Sequence, residues 1–139
     1  MSKNIFHLKI DDSYLDIEES RNPLNQHHII FSTIRNNTTQ LWYLDEGTLK
    51  HYQTNGYLTK KYHGWIPSRS NIILQREHDY DIENDEPFQW TYTNGSLTIQ
   101  QNDCQYQLCK DLNQNIILQK EGNTISNKWK LILRPINTC

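Results

Sequence analysis

The sequence predicts an all-β fold in which one four-stranded unit is used three times around a pseudo-threefold axis. Three observations predict it. The heptad Asn71-Ile72-Ile73-Leu74-Gln75-Arg76-Glu77 returns 44 residues later as Asn115-Ile116-Ile117-Leu118-Gln119-Lys120-Glu121. A weaker copy, His27-His28-Ile29-Ile30-Phe31-Ser32-Thr33, lies 44 residues before the first. A unit of this size cannot bury its own apolar face, so the copies must share a core. The composition agrees: there is no Ala and no Val, and Ile, Leu and 15 aromatic residues must fill that core. Such a set disfavours helix and favours strand. Helical periodicity is absent from any window of a dozen residues, while turn signals recur at Asp45-Glu46-Gly47, Asn55-Gly56, Asn94-Gly95 and Asn102-Asp103.

The elements follow in order. Tyr14-Leu15-Asp16-Ile17, Tyr57-Leu58-Thr59-Lys60 and Gln107-Leu108-Cys109-Lys110 each open a unit. An Ile-Ile strand follows, and each unit closes on a tryptophan: Trp42, Trp90 and Trp129. Past the first two tryptophans, Gly comes after five residues and Leu after seven. Four short strands per unit make about twelve, in one domain spanning 1–139, with repeats at approximately 5–44, 45–92 and 93–136. Threefold repetition of four strands closes a six-stranded barrel capped by three hairpins, which removes exposed sheet edges. The three tryptophans are expected in the core, because a large ring repeated once per unit buries much of the shared surface.

Composition also limits function. Net charge is −2 with no basic block, which speaks against a nucleic-acid groove or a polybasic membrane patch. No stretch reaches the ~20 apolar residues of a membrane span. The first residues, Met1-Ser2-Lys3-Asn4-Ile5-Phe6-His7, show no signal-peptide core. The expected location is the cytoplasm, or outside by a non-classical route, unless a leader has been removed. The three cysteines, Cys104, Cys109 and Cys139, cannot all pair within one chain. Cys104 and Cys109 read as flanking a hairpin, with free thiols favoured over a bridge.

These residues resemble the ricin-type β-trefoil lectins. That family carries three repeats with a Leu-Asp-Val-like opening and a Gln-x-Trp close followed by Asp-Gly-Thr-Ile. Here Gln40-Leu41-Trp42-Tyr43-Leu44-Asp45-Glu46-Gly47-Thr48-Leu49 is a near match, and Asn94-Gly95-Ser96-Leu97-Thr98-Ile99 fits the second junction. The likeness runs from Phe6 to about Leu133. It implies a non-enzymatic, cofactor-free β-trefoil that binds glycans or glycoproteins through galactose-type sugars. A sugar needs a ring for its apolar face, a carboxylate for adjacent hydroxyls and an amide that both donates and accepts. Carried over, the resemblance assigns these roles in the first repeat to Asp16, Phe31 and Gln40, with Thr39 where the family has Asn and Asn36 or Asn37 supplying an amide from the adjoining loop. The bland alternative makes Asp16 a turn acid and Phe31 a core ring. Asp16→Ala is expected to abolish sugar binding with little effect on stability. The second repeat should be silent: Thr59 replaces Asp, Gln75 takes the ring position and Pro87-Phe88 replaces the amides. A weaker third-repeat site would use Asp111, Gln119 and Asn127, with Cys109 in the Asp position and Ser126 beside Asn127.

Other constellations carry less. The histidines show no metal-ligand spacing, so no metal site is expected; His27-His28 is either solvated or a ligand contact beside Phe31. The acidic stretch from Glu77 to Glu86 reads as a solvated loop and lacks the EF-hand spacing. No nucleophile–base motif is present. Trp65 lies outside the repeat register, as a loop anchor or as the contact for a protein partner. The competing function is therefore a protein-binding trefoil, such as a toxin-complex subunit, a protease inhibitor or a cytoskeletal binder.

Overall fold

The computed structural model describes residues 4–21, 26–35, 38–60, 72–75, 87–101, 103–120 and 128–134. Asn36, Asn37, Trp65, the 77–86 stretch, Ser126, Asn127 and Cys139 lie outside them, as does the side chain of Gln75. The described chain forms twelve strands. The first unit holds β1 (Ile5–Ile10), β2 (Ser13–Arg21), β3 (Gln26–Ser32) and β4 (Trp42–Asp45). The second holds β5 (Thr48–His51), β6 (Tyr57–Lys60), β7 (Ile72–Gln75) and β8 (Thr91–Thr93). The third holds β9 (Ser96–Gln101), β10 (Cys104–Lys110), β11 (Ile116–Lys120) and β12 (Trp129–Leu133). A 3₁₀ turn, Thr38–Gln40, precedes Trp42, and among the described residues no helix is long and apolar enough to cross a membrane.

The turns form where the sequence places them. Asp45 pairs with Thr48 across Glu46-Gly47, and Thr93 with Ser96 across Asn94-Gly95. Both central residues have positive φ in each, +52° and +88°, then +51° and +84°. That is the twist a two-residue hairpin needs, and glycine enters it without strain.

The units share one core. Its fully buried members include Leu8, Leu15, Trp42, Leu58, Leu97, Leu108 and Trp129, drawn from all three units. Each closing tryptophan makes the same bond. Its indole N–H donates to the carbonyl of the leucine that opens its own unit: Trp42 to Leu15 at 3.0 Å, Trp90 to Leu58 at 2.9 Å and Trp129 to Leu108 at 2.9 Å. A buried indole needs this partner, so the ring also fixes the unit's own strands to one another. The backbone N–H of Trp90 and Trp129 reach the carbonyls of Gly47 and Gly95, both at 2.7 Å. Pairings β12–β1, β1–β4, β4–β5 and β8–β9 run around the barrel; β2–β3, β6–β7 and β10–β11 are the three hairpins. This is a β-trefoil.

Register fixes equivalent positions. Leu15 faces Phe31, Leu58 faces Leu74 and Leu108 faces Leu118. Phe31 therefore matches Leu74 and Leu118, not Gln75 and Gln119. The first repeat spacing is 43 residues, from Ile30 to Ile73, one fewer than the heptad copy predicts. The apolar triplets Ile29-Ile30-Phe31, Ile72-Ile73-Leu74 and Ile116-Ile117-Leu118 are the true signal. A slip of one residue moves a strand side chain to the opposite face.

The cysteines also differ from expectation. Cys104 and Cys109 both lie within β10 and do not flank a turn. Five residues of strand separate them by about 17 Å, far beyond the span of a disulfide. Both are free thiols.

Candidate functional site

Asp16, Thr59 and Cys109 occupy equivalent places, each following an opening leucine, opposite Ile30, Ile73 and Ile117. All three are 0 % exposed. Because they alternate with core leucines, they lie on the strand face turned away from those leucines.

In the first unit the slot holds a charge, and the chain surrounds it with donors. Asp16 Oδ1 accepts from the Ile17 N–H at 2.7 Å. Its Oδ2 accepts from the Ser32 hydroxyl at 2.7 Å and from the Gln40 amide at 3.2 Å. Arg35 Nε lies 3.8 Å from the same oxygen, with its side chain 43 % exposed. Gln40 is fully buried too. Its amide nitrogen also reaches Ser32 Oγ at 2.8 Å and the Thr33 carbonyl at 2.6 Å, and its carbonyl accepts from the Arg35 N–H at 2.9 Å. A buried carboxylate requires such pairing. The result is a staple between β2, the end of β3 and the turn before Trp42.

Asp16 and Gln40 are therefore brought together, but Phe31 is not part of the group. Its ring sits on the core side, 6.1 Å from the Trp129 ring. The aromatic on the Asp16 face is Tyr14, two residues earlier on β2 and only partly buried. Nor does Asp16 present free oxygens to a ligand. It is shielded by partners, and a sugar would meet it through Ser32 and Arg35. Because the same bonds tie β2 to β3, Asp16→Ala is now predicted to lower stability as well, which the sequence alone did not lead one to expect. Tyr14 was legible as the residue of matching parity beside Asp16. Ser32 and Arg35 carried no motif, because they reach Asp16 only once β3 folds back on β2.

The other slots hold different chemistry. Thr59 Oγ1 accepts from the Phe88 N–H at 3.1 Å, so a backbone donor serves where Gln40 serves in the first unit. The Cys109 thiol contacts the Gln107 carbonyl at 3.4 Å, and burial pushes its pKa up to about 12, which leaves it protonated and unreactive. The Asp111 carboxylate turns into its own loop, accepting from the Asn113 and Asn115 N–H groups at 2.8 Å each. Gln119 is half-buried, and its Oε1 is buried without a partner among the described residues. Asp111 and Gln119 thus do not form a set around Cys109.

Two histidines have structural roles. His27 is buried with Nδ1 2.8 Å from the Glu18 carbonyl. His51 is fully buried, edge-on to Trp42 at 4.8 Å, with Nε2 2.8 Å from the Thr39 carbonyl beside Gln40. Desolvation lowers its pKa to about 4 against the opposing Thr39 bond, so it is neutral at pH 7. Among the described residues no group of His, Cys, Asp and Glu is arranged to hold a metal.

No protein-family model matches the chain, and no curated protein matches it. Solved structures do, at low identity. The Vibrio vulnificus hemolysin/cytolysin β-trefoil lectin, solved with N-acetyl-D-lactosamine bound, superposes with TM-score 0.72 at 15% identity, covering 99% of this chain and 100% of that one. The earthworm lectin C-terminal domain, solved as a mutant with 6'-sialyllactose, gives 0.66 at 17% identity over 94% and 99%. The designed threefold-symmetric protein ThreeFoil gives 0.65 at 14% identity over 92% and 97%. At such identities the likeness establishes the shared fold, and the fold is the β-trefoil.

Proposed function

We propose that this chain is a non-catalytic carbohydrate-binding protein whose sugar site lies in the first unit and takes galactose-type glycans. One observation carries the reading. Among the described residues, only the first unit sets a buried carboxylate against an exposed guanidinium and a hydroxyl, with a partly buried aromatic ring two residues away on the same strand face. Tyr14 offers the apolar face a sugar stacks on. Ser32 and Arg35 offer polar contacts to its hydroxyls, and Asp16 and Gln40 hold both in place. Asp16 is a positioning residue here, not a direct contact. The sugar class follows the resemblance of the Gln40–Leu49 segment and the N-acetyl-D-lactosamine named for the Vibrio lectin. A single shallow site predicts weak affinity, and avidity would come from assembly or from linkage to other domains.

A glycan array followed by titration with lactose tests this. Binding that is lost in Tyr14→Ala, in a variant that still unfolds cooperatively, is the expected result. An array with no bound glycan returns the protein-binding alternative. Ile34, 61 % exposed beside Arg35, and Leu112, 90 % exposed at the β10–β11 turn, would then be the first residues to change.

A further inference from the structure

The three units carry equivalent rows of residues across the outer faces of four neighbouring strands. In the second unit the row is Tyr43, Lys50 and Tyr57, with position 75 opposite Tyr57 in the backbone register. In the third it is Thr91, Thr98, Gln107 and Gln119. In the first it is Lys130, Lys9, Tyr14 and Ser32. Directly opposed residues share a face, so each row is contiguous, and four strands at ~4.8 Å spacing make it about 14 Å long.

The second row places its cation among rings. Lys50 is 7 % exposed and lies between two tyrosine rings, 6.0 Å from Tyr43 and 5.0 Å from Tyr57. In the first row Lys9 keeps one ring, Tyr14 at 5.8 Å, but a second cation, Lys130, stands where Tyr43 stands. Two like charges directly opposed across an antiparallel pair repel. Among the described residues neither lysine is paired with a carboxylate; the ion pairs are Arg35–Asp16 and Lys110–Asp11. The row ends at Ser32, whose hydroxyl is bonded to Asp16. Every charged group it exposes is a donor, as is Arg35 at its end. The exposed acids nearby are Asp11 and Asp12 in the β1–β2 turn, where Asp11 is neutralised by Lys110 at 3.4 Å, and Glu18, which lies beyond Asp16 from Tyr14.

We infer that the Lys130–Lys9–Tyr14–Ser32 row extends the first-unit sugar site and takes a glycan bearing a carboxylate. The carboxylate sits between the two ammonium groups and relieves their repulsion, while a neighbouring sugar stacks on Tyr14. This rests on the carbohydrate reading above.

The test is titration of the full chain with lactose and with 6'-sialyllactose, at low and high salt. The inference predicts that sialyllactose binds about tenfold more tightly at low ionic strength, with the ratio falling steeply in 0.5 M salt. Lys130→Tyr, which rebuilds the second unit's row, should bring the ratio to about one. Lys130→Gln should raise the melting temperature of the free protein at low salt and not at high salt. Lactose binding with a ratio near one in the wild type would overturn this extension and leave the first-unit site standing. Binding of neither sugar would overturn both. Displacement of sialyllactose by polyglutamate at equal charge would show a surface for acidic peptides and overturn the sugar assignment.

Discussion

The first and second units share a backbone and differ in what they bury. After Leu15 the slot holds Asp16, and after Leu58 it holds Thr59, both fully buried. Asp16 draws in the Ser32 hydroxyl, the Gln40 amide and the Arg35 guanidinium. Thr59 takes one backbone N–H, that of Phe88. The same inversion governs the outer rows, where Lys50 is enclosed by rings and Lys9 is not. Threefold repetition therefore preserves places and leaves their chemistry free. What the units must have in common is the buried indole and its carbonyl partner; the polar slots are where they diverge.

Changes to the shared core should have the largest effect and show no preference among units. Trp42→Ala, Trp90→Ala and Trp129→Ala should each cost about 3–5 kcal/mol in urea unfolding. A loss several kcal/mol smaller at one of them would break the equivalence of the three indoles. The slots should then separate the units. Asp16→Ala removes the carboxylate that accepts from the Ile17 N–H and the Ser32 hydroxyl, while Gln40 keeps Ser32 and the Thr33 carbonyl, and should cost roughly 3 kcal/mol. Thr59→Val removes one neutral bond and should cost about 1 kcal/mol. Equal losses at the two positions would show that the Asp16 network contributes nothing beyond its shape.

His51 sharpens the contrast between tryptophans. It stands opposite Trp42, where Ile10 stands opposite Trp129. Its folded pKa is about 4, below the unfolded value of 6.5. The unfolded chain therefore binds the proton first. The stability held above pH 6.5 is lost as pH falls to about 4, by up to roughly 3 kcal/mol. Comparing unfolding free energies at pH 7 and pH 4.5 should show a smaller drop for His51→Ile than for wild type. His7, lowered by burial and by Arg134, contributes in the same direction and persists in that variant. The smallest effects belong to the turns. Gly47→Ala and Gly95→Ala both place a side chain at positive φ and should cost about 1 kcal/mol. A Cβ at Gly47 would also meet the Gln89 amide, whereas at Gly95 the nearest atom is 3.5 Å away. Gln89 is an exposed side chain that can swing aside, so Gly47→Ala should be the worse by only a few tenths.

The fold was legible because its signals are local or periodic. The Asn94-Gly95 turn, the closing tryptophans and the Ile-Ile triplets each state their role within a few residues. The site was legible only in part. Asp16 and Gln40 sit in motifs that mark them out, and they do meet. Phe31 was misplaced because the heptad copy aligns His27 with Asn71, whereas the strand register aligns His28 with it. In a strand that single residue exchanges core for surface. The Arg35 contact and the Lys130–Lys9–Tyr14–Ser32 row were not legible at all. The first exists only after β3 folds back on β2, and the second joins residues 121 positions apart, Lys9 and Lys130, that meet only after β12 pairs with β1.

The central claim is that the first unit, and not its two copies, holds the sugar. Backbone amide NMR of the labelled chain titrated with lactose tests it most directly. The account predicts shifts clustered at Tyr14, Ser32, Thr33 and Arg35, with Thr59 and Cys109 unmoved. Shifts centred on Thr59 or on Cys109 and Gln119, with Tyr14 and Ser32 still, would contradict it.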